Sequence, residues 1–298
     1  MKKILIVDDE ASIRTMLEDH LDQKYEVTAK PDAAAALKTE GLETYDLVIS
    51  DINMPGMKGY EFLSKVRIMH PHLKTVLITA YNVDDYVRMA RKYGISNIIV
   101  KTIPFNFDEL SYIVDGLLSG EIFGLERYMN SDYSVEGSFT VRNSNDAKEI
   151  REKIVETFSE KVGDTGELKL ILDEIITNAI YHAPRTQDGQ KKYREFSDVQ
   201  LAEDEYVTIE CGIDNEKYGI SVIDNSGGLD KETVLYKIDR HVNAEGVLDD
   251  SGRGIFMTRI FADRMIINID PSNKTEIILL NYFDKKYKGY KPIYINEL

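Results

Sequence analysis

Five residues in the first 101 positions of the chain have the types and the positions required for phosphoryl chemistry. Each follows or ends an apolar run: Asp8, Asp9, Asp51, Thr79 and Lys101. Carboxylates are suitable ligands for Mg²⁺, a hard cation that prefers oxygen donors, and an aspartate can also act as a nucleophile toward phosphorus. The metal would offset the repulsion between the acids and an incoming phosphoryl group. The lysine and the threonine could then hold that group.

The apolar runs that precede these residues are predicted strands, which alternate with amphipathic helical segments over residues 1–118. The strand candidates are residues 3–7, 25–29, 46–50, 75–79 and 97–100. Continuous apolar strands that alternate with helices favour a parallel sheet covered on both faces. In such sheets the functional crevice lies at the carboxyl ends of the strands, so we expect the reactive residues to meet there. The alternative is that these are hydrophilic loop residues without a shared function. It does not explain why five reactive residues each follow or end a predicted strand.

Residues 1–118, which include the segment DINMPGMKGYEFL, strongly resemble the receiver domain of bacterial response regulators. The resemblance implies an α/β flavodoxin-like fold with a doubly wound parallel five-stranded sheet. It also implies that Asp51 accepts a phosphoryl group from a cognate histidine kinase, that Thr79 moves to this group and that Lys101 pairs with it. The implied Mg²⁺ ligands are Asp8, Asp9, Asp51 and the backbone carbonyl of Asn53.

Two positions depart from the receiver pattern. The switch position three residues before the lysine, usually aromatic, is Ile98, so the usual rotation of a ring is not expected. The lysine is followed by Thr102, Ile103 and Pro104 rather than directly by proline. Because a cis bond before Thr102 would be costly, we expect the customary cis peptide to be absent or displaced.

A second set of candidate residues lies on one predicted helix, residues 168–183. Glu174, Asn178 and His182 recur at intervals of four, so at about 100° per residue they lie within about 80° of one another. They border the apolar face of the helix, where polar groups need partners. Taken alone, the pattern is typical of an ordinary amphipathic helix with a polar edge.

Glycine-bearing segments after this helix change its interpretation. The segment DNSGGLD ends the second strand of a predicted hairpin, and SGRGIF opens the last predicted helix. Asp224 can accept a hydrogen bond from a base amine, and Gly228 lets backbone pass close to a ligand. Backbone amides at residues 252–254 and the positive helix end can bind phosphates. The order of strands and helices favours an antiparallel sheet with helices on one face.

Residues 137–283 resemble the ATP-binding (GHKL) fold of gyrase, heat-shock protein 90, histidine kinases and anti-sigma-factor serine kinases. The segments LDEIITNAIYHA and GRGIF are most similar to the anti-sigma-factor serine kinases. The resemblance implies an α+β Bergerat-type sandwich that binds ATP and Mg²⁺. Asn178 would ligate Mg²⁺, Glu174 would act as general base and Asp224 would read adenine. The nucleotide-binding residues also include Gly228, Gly252, Arg253 and Gly254. Ser226 departs from the pattern, which has a glycine there.

Together the two resemblances predict a response regulator that controls an ATP-dependent protein serine/threonine kinase. Its substrate would be a partner protein such as an anti-sigma antagonist or a sigma factor. Two alternatives stay open: a nucleotide-gated module that binds such a partner without catalysis, and an atypical histidine kinase. His182 is not favoured as a phosphoacceptor, because it lies within the nucleotide-site helix.

Composition narrows the class of protein further. A net charge of −15 argues against direct nucleic-acid binding, and no apolar run is long enough to cross a membrane. The start of the chain is typical of a cytoplasmic protein. The single Cys211 excludes an intrachain disulfide framework. The sequence leaves open whether the protein forms a homodimer. We expect a receiver domain over residues 1–118 and a linker or signalling helix over 119–136. An ATP-binding output domain should follow over 137–284, and a tail over 285–298.

Overall fold

The computed structural model describes residues 1–162, 165–243, 245, 253–271, 273–284 and 286–298. By its internal contacts the chain divides into two compact units. The first consists of Met1–Ile122 with Pro292–Tyr294, and the second of Phe123–Lys291 with Ile295–Leu298. Within the described ranges, no helix has both the length and the apolar character needed to cross a membrane.

The first unit is a parallel sheet with helices between its strands. The strands are β1 (Lys3–Val7), β2 (Glu26–Lys30), β3 (Leu47–Asp51), β4 (Lys74–Thr79) and β5 (Asn97–Val100). The helices are α1 (Ala11–Leu21), α2 (Ala33–Leu37), α3 (Gly59–Met69), α4 (Val87–Tyr93) and α5 (Phe107–Ser119). The strands run in the order β2-β1-β3-β4-β5, which confirms the parallel sheet predicted from the apolar runs and the doubly wound order that the receiver resemblance implies.

Helix α5 ends earlier than a signalling helix over 119–136 would require. The side chain of Asn106 caps its start by accepting a hydrogen bond from Glu109 N at 3.0 Å. Its end is set by Gly120, whose φ of 76° is left-handed and readily adopted by glycine. The described residues of 119–136 contain a short 3₁₀ turn at Leu125–Tyr128 and the start of a strand at Ser134 rather than a continuous helix.

The second unit is an antiparallel sheet with helices packed on it. Its strands are β6 (Ser134–Val141), β7 (Val207–Ile213), β8 (Lys217–Asp224), β9 (Arg264–Asp270) and β10 (Lys274–Tyr282). Its helices are α6 (Ser144–Val162), α7 (Gly166–Thr177), α8 (Lys231–Val242) and α9 (Arg253–Phe261). The sheet order is β6-β7-β8-β10-β9, and each of these neighbouring pairs is antiparallel. Cys211 lies in β7 and is buried, and burial raises the pKa of its thiol to about 12.

Three elements differ from the sequence expectations. Helix α7 stops at Thr177 and continues as a single π-helical turn over Asn178–His182, just before Pro184. The run after α9 forms β9, whose β-branched residues favour a strand. The expected tail over 285–298 contains β11 (Ile293–Glu297), and in the first unit Ile293 and Tyr294 pair antiparallel with β5.

The two faces of β10 serve different parts of the second unit. The carboxylate of Glu276 is buried and accepts hydrogen bonds from Ser221 Oγ at 2.6 Å, from Asn268 Nδ2 at 2.9 Å and from Gly124 N at 3.0 Å. The neighbouring Thr275 faces a cavity on the other side of the strand, as the alternation of side chains along a strand requires. The linker segment at Gly124 is therefore fixed to the strand that forms a wall of the cavity.

Candidate functional site

The first candidate site is an ion-paired cluster at the carboxyl ends of the strands of the first unit. Lys101 Nζ lies 2.6 Å from Asp51 Oδ1 and 2.8 Å from Asp8 Oδ2. These residues follow or end β5, β3 and β1, and the carboxylates of Asp8 and Asp51 are almost completely buried. The parallel sheet thus brings together three of the residues that the sequence analysis singled out, although they are far apart in the chain.

Burial and ion pairing act in opposite directions on this cluster. Burial raises the pKa of Asp8, and the hydrogen bond and charge of Lys101 only partly offset it. Burial acts to lower the pKa of Lys101, but its hydrogen bonds with Asp51 and Asp8 outweigh this effect and the net shift is upward. The lysine is therefore held as a cation between two carboxylates at neutral pH.

Asn53 and Thr79 flank the cluster. The backbone N–H of Asn53 donates to Asp51 Oδ2 at 2.5 Å, and its side-chain amide donates to Tyr86 Oη at 2.5 Å. Thr79 is buried at the end of β4, and its Oγ1 accepts a hydrogen bond from the backbone N–H of Tyr81 at 3.1 Å. Asn53 lies in the turn that follows β3, and Thr79 ends β4, whose register places the preceding Ile78 opposite Asp51.

Tight packing around Asp51 explains one glycine that the sequence analysis did not single out. A Cβ on Gly59 would lie 2.0 Å from the backbone oxygen of Asp51, so the first turn of α3 can approach β3 only with glycine there. The departures noted in the sequence are also visible. Ile98 is completely buried, and the cis peptide bond lies at Ile103–Pro104.

The oxygen donors at this cluster fit Mg²⁺, although the side chains do not form a ready cage. Within the described ranges, no three His, Cys, Asp or Glu side chains are grouped as a metal site. Asp8 and Asp51 nevertheless share one cation, the ammonium of Lys101, and the Asn53 carbonyl belongs to the same turn as Asp51. Asp9, the other predicted ligand, is exposed. Two carboxylates and a carbonyl match the ligand preference of Mg²⁺.

The second candidate site is a cavity of about 470 Å³ in the second unit. Helices α7, α8 and α9 and strands β8 and β10 contribute to its walls. The predicted site residues that line it are Glu174, Asn178, Asp224, Gly228 and Gly254. Arg253 begins α9, and Gly252 lies outside the described residues.

Asp224 and Thr275 form a polar pair in the lining of this cavity. They are directly opposite each other on β8 and β10. Asp224 accepts a hydrogen bond from Ser226 N at 3.0 Å, and burial raises the pKa of its carboxyl to about 6. Thr275 Oγ1 is buried and has no hydrogen-bond partner among the described residues. Sequence reasoning missed Thr275, since only the register of the strands places it opposite Asp224.

Glu174 and Asn178 lie on another wall of the cavity. Asn178 Nδ2 donates to Glu174 Oε1 at 2.9 Å, as residues four apart on a helix can. A Cβ on Gly254 would lie 1.5 Å from the same Glu174 oxygen, and a Cβ on Gly228 would lie 2.8 Å from the carbonyl oxygen of Ala183. Close approach of backbone thus requires glycine at 228, and a side chain at 254 would displace the Glu174 carboxylate.

His182 and three cations complete the lining of the cavity. His182 Nε2 lies 3.3 Å from Glu195 Oε2. Burial lowers the pKa of His182, and the charge of Lys191 lowers it further, which favours the neutral ring. Sequence reasoning missed the three cations, Arg185, Lys191 and Lys237. Arg185 and Lys191 lie in a segment between α7 and β7 that showed no motif.

Residues 4–115 match the family model described as the response regulator receiver domain. The chain is 38% identical over 125 residues to response regulator protein FleR of Pseudomonas aeruginosa, an alignment that covers 42% of this chain and 26% of FleR. It is 31% identical over 110 residues to sporulation initiation phosphotransferase F of Bacillus subtilis, which covers 37% of this chain and 87% of that protein.

Two further relatives match the same part of the chain. The probable chemotaxis protein CheY of Rhizobium etli is 32% identical over 120 residues, covering 39% of this chain and 91% of that protein. The solved structure of response regulator protein TrrA from Thermotoga maritima, in complex with Mg²⁺-BeF, is 39% identical. It covers 40% of this chain and 100% of that one with a TM-score of 0.36.

Proposed function

The chain belongs to the response regulator receiver family, and from this membership we propose that Asp51 accepts a phosphoryl group from a cognate histidine kinase. The observation that carries the proposal is the placement of Lys101 between Asp51 and Asp8, at 2.6 and 2.8 Å. A carboxylate oxygen of Asp51 attacks phosphorus, and the bond from phosphorus to the histidine nitrogen breaks. Lys101 then pairs with the new phosphoryl oxygens, and Thr79 donates its hydroxyl to them.

Asp8, Asp51 and the backbone carbonyl of Asn53, with Asp9 beside them, would hold Mg²⁺. The ion would offset the repulsion between these carboxylates and the phosphoryl oxygens. The chain's own contribution is to exclude water, through the burial of Asp8 and Asp51, and to keep a lysine cation ready at the acceptor.

The acceptor can be tested by incubating the full chain with acetyl phosphate and Mg²⁺ and measuring the intact mass. We expect one phosphoryl group in the wild type and none in Asp51→Asn, because Asp51 is the proposed acceptor and its carboxylate lies 2.6 Å from the Lys101 cation. Asp19→Asn, which changes an exposed acid, is the matched control and should be labelled normally. Labelling that persists in Asp51→Asn would refute the assignment.

For the second unit we propose an ATP-binding output domain over about residues 137–284 that transfers the γ-phosphoryl group to a serine or threonine of a partner protein. The supporting observation is that one cavity is lined by the Asp224–Thr275 pair from β8 and β10 and by the Glu174–Asn178 pair from α7 and the turn after it. Asp224 would accept a hydrogen bond from the adenine amine, and the Thr275 hydroxyl gains the partner that it otherwise lacks.

In the catalytic step, Glu174 would take the proton from the hydroxyl of the partner's serine or threonine. The hydroxyl oxygen forms a bond to the γ-phosphorus while the bond to the β–γ bridging oxygen breaks, and ADP leaves. Asn178 would hold the Mg²⁺ that accompanies ATP, so that positioning and charge stabilisation supply most of the rate. The partner would be an anti-sigma antagonist or a sigma factor.

A specific contact favours a second candidate, a nucleotide-gated binding module without catalysis. Glu174 Oε1 accepts a hydrogen bond from the Asn178 amide and lies against Gly254, so in this arrangement one oxygen of the carboxylate serves packing within the protein. Such a module would sequester the partner when nucleotide is bound.

Labelled ATP, Mg²⁺ and candidate partners distinguish the two. Acid-stable label on the partner that is lost in Glu174→Gln, while ATP binding remains, supports the kinase. ATP-dependent partner binding that survives Glu174→Gln without any transfer supports sequestration. Acid-labile label would instead indicate a histidine phosphoacceptor. No nucleotide binding at millimolar ATP would exclude both proposals for this unit.

A further inference from the structure

Three cations that line the cavity of the second unit, Arg185, Lys191 and Lys237, are in no ion pair with an acid among the described residues. They line one cavity together, in a chain whose net charge is −15. The neighbouring Lys192, by contrast, lies 2.6 Å from Glu205 Oε1.

The backbone explains why two of these cations face the same way. Arg185 and Lys191 form an isolated antiparallel bridge, and Thr186 N donates to Gln190 O at 2.9 Å to close the hairpin. Residues directly opposite each other in an antiparallel pair project to the same face. Lys192, the next residue, pairs with Glu205 outside the cavity, as strand alternation predicts.

The third cation comes from a different element. Lys237 lies on α8 and is partly buried. Burial lowers its pKa, the positive charges of Lys191 and Arg185 lower it further, and the charges of Glu174 and Asp230 offset only part of this shift. Like charges that converge on a partly desolvated position are unfavourable by themselves, and a bound anion would remove this cost.

The acids in the cavity are already engaged with other groups. Glu174 accepts from the Asn178 amide at 2.9 Å, and Asp224 accepts from the backbone of Ser226 at 3.0 Å. Glu195 lies 3.3 Å from His182. None of these carboxylates is within ion-pair distance of the three cations among the described residues, so the cations remain available to a ligand.

We propose that Arg185, Lys191 and Lys237 form a polyphosphate subsite, which selects nucleoside di- and triphosphates over monophosphates and nucleosides. This inference rests on the proposed nucleotide function of the cavity. Arginine can bind phosphate through two parallel N–H···O bonds, whereas each lysine acts as a point charge. The subsite lies in the same cavity as the Asp224–Thr275 pair, so a base and a phosphate chain can be bound together.

The test is calorimetric titration of the full chain with adenosine, AMP, ADP, ATP and inorganic tripolyphosphate in the presence of Mg²⁺. We expect affinity to rise with the number of phosphates. Each charge-assisted contact contributes roughly tenfold in affinity, so Arg185→Gln/Lys191→Gln should weaken ATP binding roughly 100-fold. The same variant should leave adenosine binding unchanged.

The matched control is Lys192→Gln/Arg194→Gln, which removes the same charge from the same segment at residues that do not line the cavity. It should bind ATP as the wild type does. Equal losses in both double variants, or no loss in Arg185→Gln/Lys191→Gln, would overturn the subsite. Circular dichroism checks that both double variants remain folded, because the control also removes the ion pair of Lys192 with Glu205.

The outcomes separate this inference from the proposed function. ATP binding that depends on Asp224 but not on Arg185 and Lys191 would support the nucleotide function and refute the polyphosphate subsite. The protein could instead bind tripolyphosphate through Arg185 and Lys191 without binding adenosine or preferring ATP. That result would support an anion subsite and refute the ATP function. Absence of binding by every ligand removes both.

Discussion

Asp224 is held where the surroundings oppose its ionisation. Its carboxyl lies at the buried end of β8, and burial raises its pKa to about 6 from an ordinary value of 3.8. Two backbone N–H groups in the turn that follows, those of Ser226 and Gly227, act in the opposite direction but do not cancel the burial. Keeping an ionised carboxylate partly out of water lowers the stability of the fold. Such a loss of stability is common at binding sites, where a ligand supplies the missing hydrogen bond.

The first prediction concerns stability and pH at Asp224. Because the folded-state pKa lies above the unfolded one, the ionised group destabilises the fold above about pH 6, and this cost is relieved as the pH falls toward 4. Asp224→Asn should therefore raise the free energy of unfolding at pH 8 by about 2 kcal/mol and abolish adenine nucleotide binding. Urea unfolding at pH 8 and pH 4 checks this, and the gain should vanish at pH 4.

A loss of stability in Asp224→Asn at pH 8 would contradict the proposed electrostatic cost. Retained ATP affinity in the same variant would contradict the base-reading role. Asp204→Asn, which changes an exposed acid, is a control for the loss of one negative charge and should change neither quantity.

At the scale of elements, the approach of α9 to α7 shapes the cavity. Gly254 in α9 lies directly against the Glu174 carboxylate of α7, which also accepts a hydrogen bond from Asn178. The glycine of GRGIF is therefore a packing requirement as well as a candidate phosphate-binding residue. Its lack of a side chain leaves room for the Glu174 carboxylate against α9.

The second prediction is that Gly254→Ala destabilises the second unit. The new Cβ would lie 1.5 Å from Glu174 Oε1, so the side chain or the helix must move, at a cost of about 1–3 kcal/mol. Gly289→Ala is the control, because a Cβ there meets nothing within 4 Å. Thermal unfolding of both variants checks this. Equal melting temperatures would contradict the contact, and Glu174→Ala combined with Gly254→Ala should recover part of the loss.

The sequence predicts some elements better than others, for physical reasons that particular residues show. The runs before Asp8 and Asp51 are continuous and apolar, so both the parallel sheet and the meeting of these acids follow from the pattern. The helical period of residues 168–183 does not reveal that the last turn, at Asn178, becomes a π-helical turn. Arg185 and Thr275 escaped notice because hairpin geometry and strand register, rather than local spacing, bring them to the cavity.

At the scale of the whole molecule, the connection between the two units carries the regulatory hypothesis. The linker after α5 is bound through the Gly124 amide to Glu276, whose neighbour Thr275 lines the cavity. A change in the linker would therefore act on a strand that forms a wall of the candidate nucleotide site. This route lies within the second unit and depends on one buried carboxylate.

The third prediction is that the state of Asp51 changes nucleotide affinity. Beryllofluoride with Mg²⁺ imitates the phosphoryl group, and we expect it to change the ATP affinity of the wild type at least about fivefold, the lower end of typical coupling between sites. Asp51→Asn should show no change. Calorimetric titration of ATP with and without beryllofluoride checks both, and identical affinities in the wild type would contradict regulation through Asp51.

The burial of Cys211 has a practical consequence for such experiments. With its thiol pKa raised to about 12 and its side chain buried in β7, the only cysteine of the chain should resist maleimide reagents under native conditions. A fluorophore can therefore be attached at one introduced exposed cysteine without first removing the native residue. The unmodified chain then serves as the unlabelled reference for watching either unit respond in solution.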